Sequence, residues 1–272
     1  MNSADKKLAI AFLKEEPAAA AHRLEQIPEP QVIAVLTAAP AAIAADVFKF
    51  MLPSIAASVI QDMADDYVTP LFVEMTVTDL SQILRLMPVS TRTQKLSLLP
   101  AKKRVRCETL IHYPSYTVGA LVETDVLTFD AKMTVEEASI RAKKRAFPNA
   151  KTLYVLSKDR HLIGSLSIYD LIRAPNNALV ADIMTHPPMV LSGYTEQSAA
   201  LGMPVWENSD VSAVVNRKNA FVGVVYHHAL RNAINLQASR KQKEHSIGVA
   251  LINAYGAVLA NLVDEVTFLS SD

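Results

Sequence analysis

The chain has 272 residues, half of them hydrophobic and 20% charged, with 27 basic residues set against 27 acidic ones. It is long enough for one or two domains with a substantial core. Its balanced charge argues against nucleic acid or an acidic membrane surface as the main partner. A lone cysteine, Cys107, excludes an intramolecular disulfide and fits a reducing, cytoplasmic compartment. The opening MNSADKKLAI has no apolar run followed by a small-residue cleavage site, so no secretory signal is expected.

Residues 1–112 carry prolines in a rhythm: Pro28, Pro40, Pro53, then Pro88 and Pro100. The long gap is close to three of the shorter ones. Each proline closes an apolar tail, as in QIP, AAP, MLP, LMP and LLP. Proline suits the first turn of a helix, where its missing N–H has no partner to lose. Apolar residues recur at three and four within the units, as at Leu80, Ile83, Leu84 and Met87. The pattern predicts a short helix and a tight turn, repeated. Start signals at Asp65-Asp66 and Thr78-Asp79 agree. Helices of this length are unstable alone and must stack, which gives a superhelical domain. Two basic runs, KKRVR at 102–106 and RAKKR at 141–145, read as solvated helix faces, since no aromatic is interleaved.

The rhythm stops at Tyr113-Pro114. TLYVLSKDRHLIGSLSIYDLIRA, 152–174, predicts strand, turn, strand and helix. A shift of 59 positions returns the same order without a gap in VSAVVNRKNAFVGVVYHHALRNA, 211–233. A helix signal precedes each copy, at 134–146 and 194–206. This is an internal repeat of β-α-β-β-α outline, whose sheet face is expected to be buried against its twin. The fold class is therefore α + α/β. A short-helix superhelix spans 1–112, two repeated units span 113–180 and 181–238, and a tail spans 239–272.

The repeat resembles a tandem pair of CBS domains. GSLSIYD, 164–170, matches the hallmark of that family: glycine, two apolar residues, serine or threonine, two variable residues, aspartate. Together with the helical stack and the junction YPSYTVGALVETDVLTFDAKMTVEEA, 113–138, the chain resembles the cytosolic region of MgtE-type magnesium transporters over about residues 20–235. The resemblance implies a non-catalytic regulatory module, dimeric through the CBS pair, acting on a membrane transporter subunit and responding to Mg2+, to ATP, ADP or AMP, or to both. The runner-up readings are a free-standing CBS nucleotide sensor and a ligand-free dimeric scaffold. The five-helix pore that the family places after the CBS pair is absent from these residues, so transport by them alone is not expected.

The resemblance also implies site residues. Asp170 would accept from ribose hydroxyls and Ser167 would donate to phosphate or ribose, with Tyr154 the nearest aromatic to stack on adenine. Asp170 reads equally well as a helix cap. In the second copy Tyr226 and Ala229 replace the serine and the aspartate, which removes the acceptor. Magnesium needs hard oxygen ligands; the candidates are Asp62, Asp65 and Asp66 in the stack and Glu136, Glu137 and Asp182 in the repeat, and exposed caps are the alternative. Adjacent His227 and His228 diverge too far to chelate. Cys107 stands among basic residues, which could lower its pKa, but no histidine partner can be assigned to it and it reads as a structural cysteine. No nucleophile–base pair of useful spacing is found, so no enzyme is expected. The apolar stretch 247–263 follows Arg240, Lys241 and Lys243 and contains Asn253 and Asn261. It reads as a packing helix or as a membrane-associated one.

Overall fold

The structure, a computed structural model, describes residues 3–144 and 152–235. The expectations for the second basic run therefore fall partly outside the described residues, and those for 247–263 wholly so.

Nine helices precede residue 112 among the described residues: α1 (Ser3–Glu15), α2 (Pro17–Leu24), α3 (Glu29–Thr37), α4 (Ala41–Phe50), α5 (Pro53–Asp62), α6 (Asp65–Glu74), α7 (Val77–Arg85), α8 (Val89–Ser97) and α9 (Ala101–Ile111). From α3 onward the residues that cap their N-termini are Pro28, Pro40, Leu52, Ala64, Thr76, Pro88 and Pro100, each twelve positions after the last. The long proline gap is filled by two units that start without proline. Four of the five prolines sit one residue before the helix rather than inside its first turn; Pro53 alone is inside. Their fixed φ, near −55°, holds the extended backbone that turns the chain into each new helix. The start of α7 is capped by Thr76, whose Oγ1 accepts from Asp79 N at 3.1 Å. Thr78, the expected cap, instead donates to Val122 O at 2.7 Å.

Helices α2 to α7 and α9 pack mainly on the next but one: α2 on α4, α4 on α6, α3 on α5, α5 on α7, α7 on α9. That is a solenoid of two-helix layers. Cross-layer side chains satisfy the carbonyls that short helices leave open at their C-terminal ends. Tyr67 Oη donates to Leu36 O and Ala39 O, at 2.6 and 2.8 Å, at the end of α3. Lys95 Nζ donates to Met63 O after α5, at 2.9 Å, and Lys103 Nζ to Phe72, Val73 and Met75 carbonyls at the end of α6. Arg85 Nη2 donates to Leu110 O on α9 at 2.8 Å.

A 3-10 turn, Val118–Leu121, leads into the repeat. The first unit runs β1 (Thr128–Asp130), α10 (Val135–Lys143), β2 (Thr152–Leu156), β3 (Leu162–Ser167), α11 (Ile168–Arg173), with α12 (Val180–Ile183) as its link to the next. The second runs β4 (Val190–Ser192), α13 (Gln197–Leu201), β5 (Val211–Val215), β6 (Phe221–Tyr226) and α14 (227–235). Both sheets have three strands, the first pair parallel and the second antiparallel. The register shifts fall at equivalent places, Val155/Leu156 and Val214/Val215. So do two left-handed residues, Arg160 (φ 62°) and Asn219 (φ 56°), which turn β2 into β3 and β5 into β6. The helix expected over 194–206 is interrupted: α13 ends at Leu201 ahead of Gly202, and Pro204–Trp206 form a separate 3-10 turn.

Strand alternation sets what each face buries. On β2, Leu153 and Val155 enter a core with Val135, Ala138 and Leu171, while Tyr154 and Leu156 face a second core with Ala213, Phe221 and Val224 of the other unit. The two sheets thus clasp each other. The segment before each unit crosses to its twin: Glu123 pairs with Val224, and Thr185 with Ser165. The glycine of each copy lies under that crossing. A Cβ on Gly164 would stand 2.9 Å from Thr185 O, and one on Gly223 would collide with Glu123 O.

Candidate functional site

The motif that distinguishes the first copy sits where β3 passes into α11. Ser167 caps α11, and its Oγ accepts from Asp170 N at 3.1 Å. Asp170 Oδ2 accepts in return from Ser167 N at 3.0 Å and from Ser167 Oγ at 2.8 Å. These bonds hold the Asp170 carboxyl below the ordinary carboxylate range, with Arg173 adding to the effect. Asp170 is exposed, and both bonds fall on one of its oxygens. Capping therefore leaves the other oxygen open to a ligand, and the two roles read from the sequence are compatible.

Tyr154 does not join them. Its ring is buried against Phe221, with centroids 5.5 Å apart, because an even-numbered position on β2 faces the twin sheet. Burial raises its hydroxyl pKa well above the usual value, so it stays neutral. It is a core residue of the clasp and not a base-stacking platform.

The second copy fills the equivalent place with its own rings. Tyr226 lies against His228 at 5.3 Å, and Trp206 against His227 at 5.0 Å, its Nε1 donating to Ala200 O at 2.7 Å. What both copies keep is the glycine under the crossing segment; what only the first keeps is the serine and aspartate. The glycine serves the fold, and the polar pair is separable from it.

Four of the six carboxylates expected to hold magnesium are engaged where they stand. Asp65 pairs with Lys95 at 2.7 Å, which lowers its pKa. Asp66 Oδ1 accepts from Tyr67 N, Glu137 Oε2 from Thr134 N in a capping box, and Asp182 Oδ2 from Leu179 N. Asp62 and Glu136 are exposed. Among the described residues no three His, Cys, Asp or Glu side chains are grouped as a metal ion would need. The spacing of helix starts puts carboxylates in first turns all over the molecule rather than in one place. Cys107 is buried, and burial pushes its thiol up to about 11 despite the nearby Lys103, so it is inert at neutral pH.

Residues 15–116 match the family described as the MgtE intracellular N domain, and residues 118–177 match the CBS domain. The chain carries an MgtE intracellular N domain joined to a CBS domain. These are non-catalytic regulatory modules. The cytosolic domain of the Mg2+ channel MgtE, solved in complex with ATP, aligns over 82% of this chain and 92% of that one, with TM-score 0.70 and 25% identity. The soluble part of a magnesium transporter aligns over 86% and 98%, with TM-score 0.58 and 19% identity. The magnesium transporter MgtE of Thermus thermophilus is 31% identical over 127 residues, which are 46% of this chain and 28% of that protein. No helix among the described residues is long and apolar enough to cross a membrane.

The MgtE N domain meets the repeat at a pair of carboxylates, Asp79 of a helix start and Glu123 of the junction segment. Burial raises the pKa of Glu123, and the neighbouring Asp79 on α7 and Asp125 raise it further, against a smaller pull from Lys49. Burial also raises Asp79, partly offset by its bond from Thr76 Oγ1 at 2.7 Å and by Lys49. Tyr226 faces the same group. A carboxyl whose folded pKa is raised costs stability above that value and costs nothing below its unfolded value. The seam should therefore strengthen as pH falls towards the ordinary glutamate value of 4.5. Glu123→Gln should raise the melting temperature at pH 7.5 and by clearly less at pH 4.5, as differential scanning calorimetry at the two pH values would show.

Proposed function

We propose that this chain is a dimeric regulatory module of a magnesium-transport system, and that it takes an adenosine nucleotide at Ser167 and Asp170. The observation that carries the reading is the exposed Asp170 carboxylate, fixed at a strand end by Ser167 in the first copy and missing from the second. The ATP complex of the similar MgtE cytosolic domain supports the ligand class. In a nucleotide complex the open oxygen of Asp170 would accept from the ribose hydroxyls, and the α11 N-terminus would favour phosphate. Magnesium would act here as the ion that accompanies the phosphates, with the acidic positions Asp62, Asp65, Asp66, Glu136, Glu137 and Asp182 as weak, separate contacts. Calorimetric titration with ATP, ADP and AMP, with and without Mg2+, tests this. Asp170→Ala should reduce affinity at least tenfold, since a charge-assisted hydrogen bond contributes about 1.5–3 kcal/mol. Absence of heat at millimolar nucleotide would replace this reading with a ligand-free scaffold.

The dimer part of the proposal rests on the packed pair α10 and α11. Tyr169 and Ile172 are 74% and 73% exposed and Ile140 is 49% exposed, an apolar face that water disfavours. The second unit has His228 and Arg231 at the positions matching Tyr169 and Ile172. Ile172→Asp should convert a dimer to a monomer in light scattering; a variant still dimeric at micromolar concentration would remove this face from the interface.

A further inference from the structure

The turn that joins β2 to β3 and the turn that joins β5 to β6 meet tip to tip. His161 and Ala220 form an antiparallel bridge, and they are equivalent residues of the repeat, 59 positions apart. A bridge between equivalent residues lies on the pseudo-two-fold axis that relates the two units. Ser165 and Val224, themselves equivalent, carry the pairings on either side of that axis, with Thr185 and Glu123.

One residue of the first unit holds the axis. Arg160 O accepts from Phe221 N at 2.8 Å, and Arg160 Nη2 donates to Phe221 O at 3.2 Å. Arg160 thus takes both backbone groups of Phe221 across the axis. Phe221 is buried, and its ring lies against Tyr154 in the core that the two sheets share. Placing the Phe221 backbone therefore places that core. Arg160 does so from a left-handed backbone, φ 62°. A residue with a Cβ is disfavoured in that region, glycine is free of the penalty, and asparagine tolerates it. Asn219, in the equivalent turn at φ 56°, is the residue that turn chemistry favours. The first copy keeps an arginine where the turn alone would favour asparagine. What arginine adds is the reach and charge of the guanidinium, and that group is spent on the other unit.

We propose that Arg160 is a positioning residue of the repeat: from the pseudo-two-fold axis it fixes the angle at which the two CBS units stand to one another. Relative motion of the units is then a rotation about the His161–Ala220 bridge, restrained by a guanidinium that the second copy lacks at the equivalent place. Asp170 lies beyond the opposite end of β3, so Arg160 touches nothing that is held there. The inference stands on the geometry of the two turns and does not depend on what the first unit binds.

Native-state hydrogen exchange of the full chain, read amide by amide by NMR, tests it. The reporters are the N–H groups that bond between the units: Phe221 to Arg160, Ser165 and Thr185 to each other, Glu123 and Val224 to each other. Arg160→Asn supplies a residue that tolerates the left-handed turn and removes the guanidinium. It should speed exchange at all of these reporters roughly fivefold or more, as loss of a charge-assisted bond would. It should leave the β2–β3 and β5–β6 ladders unchanged and keep the melting temperature within about 2 °C of the parent. Arg160→Gly removes the same bond with no steric penalty in the turn and should match it. Lys158→Asn removes the neighbouring exposed charge of the same turn and should change none of the reporters. Faster exchange at Phe221 alone, or no change, would make Arg160 a turn residue only. Faster exchange throughout β2 and β3, or the same pattern from Lys158→Asn, would make the effect one of stability or of charge. Each of these results would overturn the proposal.

Discussion

Gly223→Ala should destabilise the protein by about 3 kcal/mol or more, the range in which overpacking against a fixed backbone falls. The new Cβ would meet Glu123 O and stand 2.7 Å from Val122 Cγ1. The Glu123 carbonyl accepts from Val224 N at 2.9 Å and cannot retreat without breaking that bond. The loss would therefore combine a steric clash, the Glu123–Val224 pairing and part of the shared core behind Val122. Gly202→Ala is the control: its Cβ would find only Ala199 O, at 3.9 Å, so it should be within about 1 kcal/mol of the parent. Gly164→Ala should fall between them, because Met184 can move aside while Thr185 O, at 2.9 Å, cannot. Urea midpoints for the three variants give the ranking. A Gly223→Ala midpoint equal to that of Gly202→Ala would show that the crossing segment does not sit where it is placed here.

Tyr113→Ala should cost about 3–5 kcal/mol, the usual penalty for emptying a large aromatic site in a core. Tyr113 is 3% exposed and is wedged between two glycines that have no side chain to collapse into the space. Relaxation is blocked, which places the expectation at the upper end. At about 2–4 °C per kcal/mol for a chain of this size, the melting temperature should fall by roughly 10 °C. Tyr113→Phe keeps the ring and should cost far less. If Tyr113→Ala lowered melting by only a degree or two, the junction would be a loose contact.

Much of this architecture was legible in the sequence because it repeats. The twelve-residue proline rhythm marks helix starts that the structure places at the same interval, and it even anticipates the two units between Pro53 and Pro88, begun by Ala64 and Thr76. The shift of 59 residues carries over to glycines, turn residues and bulges alike. What the sequence did not disclose depends on contacts between repeats. Tyr154 has the composition of a ligand platform, yet strand parity turns it into the clasp. Glu123 lies in the junction stretch with no role read for it; the crossing of that segment to β6 half-buries it beside Asp79. Five of the six acidic candidates for metal are first-turn residues and Asp62 ends α5, local positions that look like a cluster when read along a chain. The boundary after residue 112 follows a change of secondary structure, whereas the core runs on across it.

The most direct test of the account is the number of nucleotides bound per chain, measured by equilibrium dialysis with labelled ATP at saturation. One per chain is predicted, with the affinity at least tenfold weaker in Asp170→Ala and unchanged in His228→Ala. Two per chain, or one bound as tightly in Asp170→Ala, would contradict the assignment of the first repeat as the copy that retains the ligand.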